Sequence, residues 1–340
     1  MYTINGFWHG AATLSGRVDF SQALTTYGGL LEDCSDQQLR TEHVHPRHIR
    51  RLRTSQPLSC AQPSLLLGQA AYPSSLGLIP YAPPVLFYLG NVELLTEPCV
   101  AIVGARRCTQ RGIDMAHSLA RGLTSTGFVI VSGLAYGIDT AAHFARPQRT
   151  IAVLGQGLEQ ALHSRKRKQM THIIEQGGLI LSEFPPWMPA SRYTFPQRNR
   201  IISGLCEGTI VVEATIRSGS KITARQALEQ GRELMVIPGH PNDKNSAGCN
   251  AMLMDGAALI RDVDDVLRCL GREVFSKEER LPSCPEQAEV LAALRNGDTF
   301  DHLIQHTKLG QSQISVALAT LELGGWIKRL PGDRLAIRGD

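Results

Sequence analysis

Long apolar runs, paired metal-binding cysteines and the common nucleotide fingerprints are all missing from this chain, and each absence removes a class of function. No stretch approaches the ~18 apolar residues of a membrane-spanning helix. The start, MYTINGFWHGAATLSG, has neither the basic leader nor the long apolar segment of a signal peptide. No membrane association is expected. Eight cysteines (Cys34, Cys60, Cys99, Cys108, Cys206, Cys249, Cys269 and Cys284) are scattered, with no CxxC and no His/Cys group at zinc spacing. That usage suits a reducing compartment, and a cytoplasmic protein without a metal is expected. No GxxxxGK[ST] occurs, which excludes a P-loop nucleoside triphosphatase, and the first Gly-rich turn is GARR rather than GxGxxG. The second apolar run ends in Val131-Ser132 without the acidic residue that holds a ribose, so NAD is excluded and no cofactor is expected. A large charge excess is also lacking. The formal net charge is +4, so any nucleic-acid role has to come from a local basic patch.

What is present is a chain of 340 residues, 43% hydrophobic and with 32 glycines, the composition of a globular protein with room for two or three domains. From Cys99 onward six short apolar runs recur: CVAIVGARR, FVIVSGLAYGID, TIAVLGQG, GLILSEFP, GTIVVEA and ELMVIPGH. Helix-length segments separate them, a pattern that predicts buried parallel strands with crossover helices, an α/β doubly wound sheet. Ligands of such sheets bind at the carboxyl ends of the strands. Those ends carry Gly104-Ala105-Arg106-Arg107, Ser132-Gly133, Gly155 to Gly157, Ser182-Glu183 and Pro238-Gly239, Gly-rich turns whose backbone amides suit an anion.

The stretch FPQRNRIISGL, Phe195 to Leu205, concentrates Arg198, Asn199 and Arg200 between an aromatic-proline pair and an apolar run. Pro196 is expected to hold the approach extended, with Ile201, Ile202 and Leu205 as the buried face of a following helix and both arginines near its start. The two guanidiniums read either as phosphate ligands or as structural ion pairs. Together with Arg106 and the Ser218-Gly219-Ser220 turn before KITARQALEQ they would form one rim suited to consecutive phosphates. Tyr193 and Phe195 offer faces for unstacked bases or fill the core. The run Arg165-Lys166-Arg167-Lys168 either reaches the same rim or solvates a helix.

Catalytic patterns are thin. Asp139 and His143, at i and i+4 in GIDTAAH, would share a helix face, either for acid–base work or as a structural pair. Ser132 and Ser220 lack a GxSxG context, and His240 with Cys249 lacks further metal ligands. Residues 1–65 read as a small helical domain whose Arg47, Arg50, Arg51 and Arg53 either solvate a helix face or meet an acidic partner. The segment AYPSSLGLIPYAPPVLFYLG reads as an extended connector at the start of the 66–270 domain. A linker over 271–284 then leads to a domain over 285–340 with helices at 286–296, 300–306 and 311–323 and a hairpin about Pro331-Gly332-Asp333, the order of a winged helix. Its third helix, QSQISVALATLE, has no Lys or Arg to read a duplex, although the wing carries Lys328, Arg329, Arg334 and Arg338.

The segments VAIVGARR, VSGLAYGIDTAAH, TIAVLGQGL, FPQRNRIISGL, VVEATIRSGSKITARQALEQGRELMVIPG and GCNAMLMDGAALI together resemble the DNA-processing protein DprA (Smf) family, over about Tyr72 to Ile260. The resemblance implies an extended Rossmann-like fold, single-stranded DNA binding, loading of RecA onto that DNA during natural transformation, a homodimer and no enzymatic activity. Carried over by position, it implies DNA-binding roles for Gly104, Arg106, Arg107, Phe195, Arg198, Asn199, Arg200, Ser218, Gly219 and Ser220. Lys221 stands where an apolar residue is more common and would add charge. The alternative is a nucleotide-processing hydrolase of a related Rossmann-like family, whose PGGxGT is reduced here to Pro238-Gly239-His240.

Overall fold

The computed structural model describes residues 2–27, 31–272, 284–294, 298–323, 326–330, 332 and 334–337. Most of the expected linker, together with Pro331, Asp333, Arg338 and the side chain of Lys328, lies outside the described residues. The chain forms two compact units, residues 1–273 and 274–340.

In the first unit, β1 (Tyr2–Ile4) pairs antiparallel with β2 (Leu58–Cys60) and brackets the N-terminal helices Gly6–Leu14, Ser21–Tyr27, Asp36–Thr41 and Pro46–Thr54. The helix starts are written in the sequence. Asn5 accepts from Trp8 N at 3.1 Å, Ser35 and Gln38 form a reciprocal capping box, and Pro46 occupies a first-turn position that needs no N–H. Then come β3 (Ser64–Leu66), β4 (Val85–Gly90), β5 (Cys99–Val103), β6 (Val129–Ser132), β7 (Thr150–Val153), β8 (Leu179–Ser182), β9 (Gly208–Val211), β10 (Glu233–Val236) and β11 (Ala258–Leu259). They build one sheet in the order β11-β10-β9-β5-β6-β7-β8-β4-β3.

The strands from β11 to β8 are parallel, and β4 and β3 add an antiparallel edge. All six apolar runs named above are strands of this sheet. The connector reading of the proline-rich segment is corrected in part, because Val85–Gly90 pairs with β8 over four positions. Pro83 and Pro84 have no N–H to give a ladder, and the pairing of β4 with β3 starts just after them, at Val85. β5 through β9 are buried along their whole length, as strands covered on both faces must be, and each Val or Ile so buried contributes about 1.5–3 kcal/mol. One continuous core joins Trp8, Phe20, Leu39 and Leu52 of the N-terminal helices to Phe87, Val131, Ile180 and Ile201. Strands β6, β7 and β8 extend from β5 in one direction and β9, β10 and β11 in the other, so the strand order reverses between β5 and β9. A crevice at such a reversal is where open α/β sheets take their ligands.

The second unit has helices Pro285–Ala293, Phe300–His306 and Gln311–Leu323 with β12 (Asp298–Thr299), β13 (Ile327–Leu330) and β14 (Arg334–Ile337) in the antiparallel order β12-β14-β13. Val290, Leu303, Ile314, Leu318, Ile327 and Leu335 are its core. This is the winged-helix order expected, with the first helix ending at Ala293. Among the described residues no helix is long and apolar enough to cross a membrane.

Candidate nucleic-acid interface

Local chemistry first brings the strand ends together. After β5 the chain turns through Gly104 to Arg107, and Thr109 caps the next helix, Gln110–Ser125, by accepting from Gly112 N at 3.1 Å. The same residue ties this turn to the end of β9, since Thr109 N donates to Glu213 Oε2 at 2.9 Å and its hydroxyl donates to the other oxygen. The two strands that flank the order reversal are thereby locked at their carboxyl ends. Beyond β9, Ser218 and Ser220 share a 2.8 Å hydroxyl contact, Ser218 Oγ accepts from Ser220 N at 3.4 Å, and the helix Ser220–Glu229 follows, with Gly219 at its N-cap offering no side chain. Its dipole adds positive potential there.

The helix Thr194–Gly204 packs against the helix Ser220–Glu229 and lines the same cleft as these turns. Ser191 Oγ accepts from the amides of Tyr193 and Thr194, each at 3.2 Å, which starts the helix ahead of the proline. The expectation that Pro196 keeps its approach extended is therefore corrected. Pro196 lies in the first turn, where a missing N–H costs nothing.

A cleft of about 770 Å³ opens at this point, lined among others by Gly104, Arg106, Arg107, Phe195, Arg198, Asn199, Ser218, Gly219 and Ser220. Arg192 and Asn245 also reach it, and its one carboxylate is the buried Asp139. Two glycines permit the close approach. A Cβ on Gly133 would lie 2.6 Å from Arg198 Nη2, and one on Gly155 would lie 2.8 Å from Phe195 Cδ1. Arg198 is buried, donating through Nη1 to Gly133 O at 3.0 Å and to Val153 O, and through Nε to Asn199 Oδ1 at 3.1 Å. Burial pulls its guanidinium down to about 10 against the opposing charge of Asp139. Phe195 is half-buried with the exposed Arg106 guanidinium over its ring, 5.6 Å from the centroid.

Two residues expected on this rim lie elsewhere. Arg200 is buried with its fork on Glu183, both contacts 2.7 Å, and its Nε on Tyr81 O at 3.1 Å. Because the helix starts at Thr194, positions 198 and 200 are both well inside it. Residues two apart then point to opposite sides. Of the two readings open for the paired arginines, the phosphate-facing one fits Arg198 and the ion pair fits Arg200. Lys221 is half-buried on the helix Ser220–Glu229 and does not line the cleft.

Asp139 sits in the first turn of the helix Ile138–Ala145 and accepts from Gly133 N at 3.2 Å and Ala135 N at 3.4 Å. Burial pushes its carboxyl up, countered chiefly by Arg198. His143 does not pair with it. Its Nε2 accepts from Leu134 N at 3.3 Å, so Nδ1 donates to Thr150 Oγ1 at 2.6 Å, and burial holds the ring down to about 3. A ring kept neutral and doubly engaged is structural, with Thr150 as its partner.

The basic run at 165–168 divides. Arg165, Arg167 and Lys168 are exposed, whereas Lys166 turns inward and donates to Leu134 O. Burial and the charge of Arg198 hold its amine down to about 8, and Asp139 pulls the other way. In the unfolded chain that amine titrates near the ordinary lysine value of about 10.4, so the unfolded state holds the proton more tightly between these limits. The cost of burying the charge is thus present below pH 8 and relieved as pH rises through that window. An anion in the cleft favours the charged form. Affinity for a phosphodiester oligomer is expected to fall as pH rises through this range, and Lys166→Arg should flatten the fall. An unchanged pH profile in that variant would remove Lys166 from the site's electrostatics.

Residues 64–271 match the family described as DNA recombination-mediator protein A, and residues 277–333 match the DprA winged helix domain. The chain belongs to the DNA recombination-mediator protein A family. The DNA processing protein DprA of Streptococcus pneumoniae is 45% identical over 208 residues, 60% of this chain and 73% of that protein. Protein Smf of Escherichia coli is 36% identical over 286 residues, 78% of this chain and 75% of that protein. Among solved structures, DprA from S. pneumoniae aligns with TM-score 0.61 at 36% identity, covering 78% of this chain and 98% of its own. DprA from Helicobacter pylori, solved for its single-stranded DNA binding mode, aligns with TM-score 0.56 at 31% identity, covering 62% and 95%. The recombination-mediator match spans the whole sheet and every element of the cleft. What the motifs alone did not reveal are Arg192 and Asn245 in the cleft, and that Lys166 is the member of the basic run that turns inward beside it. For Lys166 the signal was the basic run itself, and for the other two only the loop position.

Proposed function

We propose that this chain binds single-stranded DNA in the cleft between β5 and β9 and acts as a cytoplasmic, non-enzymatic recombination mediator that protects incoming DNA and loads RecA onto it during natural transformation, working as a homodimer. The observation that carries the reading is the convergence of the Gly104–Arg107 turn, the Phe195–Asn199 stretch and the Ser218–Ser220 turn on one arginine-lined cleft. Four guanidiniums, from Arg106, Arg107, Arg192 and Arg198, against one buried carboxylate suit consecutive phosphates. The resemblance of this chain to a protein studied for single-strand binding supports the same ligand. RecA, transformation and the homodimer rest on family membership alone.

Phe195 selects for single strands in this reading. A base stacking on its ring takes the place of the Arg106 guanidinium, which turns to the adjoining phosphate. The exchange is favourable, because stacking is worth about 1–3 kcal/mol and an exposed cation–π contact about 0.5–1 kcal/mol. Phe195→Ala should lose roughly the stacking energy with an almost unchanged salt slope, whereas Arg106→Ala should flatten the dependence of log affinity on log salt by about 0.7. A mobility-shift titration of single-stranded against duplex DNA of mixed sequence tests the reading, and equal affinity for both would count against it. RecA filaments should form faster on strands coated with single-strand-binding protein when this chain is added. No acceleration would dismiss the loading role.

A further inference from the structure

The helix Pro46–Thr54 buries Ile49 and Leu52 and turns Arg47, Arg50, Arg51 and Thr54 to another side, at the i, i+3, i+4 and i+7 spacing that sets residues on one face. Arg17, from the loop after the first helix, joins them. These five residues with Leu14 and His48 line a groove of about 600 Å³ that has no carboxylate in its lining. Among the described residues none of the four arginines makes an ion pair. Arg51 is steadied by donating to Thr13 Oγ1 at 2.7 Å, and Arg47 donates to His48 Nε2 at 3.2 Å. The His48 ring is pulled down by burial and then by Arg47, His45, Arg17 and Arg51, with no acidic group opposing them.

Arg53, on the same helix, shows the contrast. Its guanidinium is held by Asp36 at 3.0 Å, by the carbonyls of Glu32 and Cys34, and over the Phe7 ring at 5.2 Å. The sequence offered one basic run. The fold uses Arg53 for structure and leaves the others facing one another across a groove, an arrangement that raises the free energy of the folded chain until an anion enters.

We propose that Arg17, Arg47, Arg50 and Arg51 form a second DNA-binding groove, one that grips the sugar–phosphate backbone without reading or stacking on bases. The lining has no Phe, Tyr or Trp, unlike the first cleft, and its one ring, the half-buried imidazole of His48, is engaged by Arg47 at 3.2 Å, so bases find little platform here. Guanidinium forks match phosphate oxygens in pairs, and the nine-residue helix is long enough to serve more than one phosphate. The groove is joined to the first cleft through the fold: Ser15, two residues before Arg17, accepts through its carbonyl from Gln197 Nε2 at 2.8 Å, on the helix that carries Phe195 and Arg198. A strand longer than the first cleft thereby gains a second grip on the same subunit. This inference rests on the DNA-binding reading above.

The test uses the full chain and a triple variant, Arg17→Gln with Arg47→Gln and Arg50→Gln. Arg51 is kept because it holds Thr13. Removing like charges from exposed positions should leave the thermal midpoint unchanged or higher. Fluorescence anisotropy is measured with oligothymidylates of about six nucleotides, enough for one site, and about thirty, enough to span further. The triple variant should match wild type on the short strand, bind the long one at least tenfold more weakly, and show a salt slope flatter by about 2 for three lost phosphate contacts. An abasic oligomer of the long length should show the same loss. Equal affinity of wild type and triple variant for the long strand overturns the second groove while leaving the first cleft standing. Should wild type bind neither length, the DNA-binding reading itself fails and the groove with it. Polyglutamate that binds wild type but not the triple variant, with long-strand affinity unchanged, would assign the groove to an acidic protein instead.

Discussion

Arg200→Ala is expected to lower the stability of the first unit by about 3–5 kcal/mol while leaving the single-strand salt slope as it is. The cause is the fate of Glu183. Its carboxylate is fully buried and takes both arms of the Arg200 fork, with Ser15 Oγ as its third donor. Without the guanidinium a buried charge keeps one hydroxyl, and Tyr81 O loses its donor as well. Because Ser15 belongs to the N-terminal region and Glu183 follows β8, the loss should also loosen the N-terminal helices, seen as faster proteolysis before global unfolding. Urea unfolding followed by circular dichroism measures the midpoint. The paired change Arg200→Met with Glu183→Leu should recover most of the lost stability, since two apolar groups of similar size need no partner. A variant Arg200→Ala that unfolds with the wild-type midpoint yet has lost a phosphate's share of the salt slope would return this arginine to the cleft.

Arg200 also marks where sequence reading stopped. The strands were legible because a strand buried on both faces has to be a short apolar run, and β5 through β10 are just such runs bounded by glycine or a charge. The binding crevice followed from the same pattern, since the runs fix where strands end. Strand β4 was less legible, because the prolines before it and the mix of buried Phe87 with half-buried Tyr88 do not distinguish an extended connector from a paired strand. The direction of a side chain within a helix depends on the residue where the helix begins. Starting Thr194–Gly204 two residues before the proline, through Ser191, is a local hydrogen-bond choice that the letters FPQRNR do not reveal. That choice separates Arg198 from Arg200. The basic helix at 46–54 likewise reads as one charged face until the fold ties Arg53 to Asp36 and leaves its neighbours unpaired.

Arg198→Ala should weaken single-strand binding by at least tenfold and destabilise the chain as well, and the two losses can be separated by pH. The guanidinium joins the ends of β6 and β7 by donating to Gly133 O and Val153 O. Two buried carbonyls left without this donor, at about 1–3 kcal/mol each and with partial compensation, give an expected loss of about 2–4 kcal/mol. Arg198 also provides the main opposite charge for Asp139, whose carboxyl is already raised by burial. A carboxyl whose folded pKa lies above its unfolded value destabilises the fold when ionised, and the penalty is relieved as pH falls through the folded pKa. Without Arg198 that folded value rises further and the penalty grows at neutral pH. The stability gap between Arg198→Ala and wild type should therefore be widest at neutral pH and narrow under mildly acidic conditions, and adding Asp139→Asn should close part of it at neutral pH. Arg198→Lys keeps the charge but not the fork, so it should preserve the salt slope while losing part of the stability. A gap that does not change with pH would show that Asp139 is not balanced by Arg198, and an Arg198→Ala chain with wild-type midpoint and affinity would remove this residue from both the fold and the cleft.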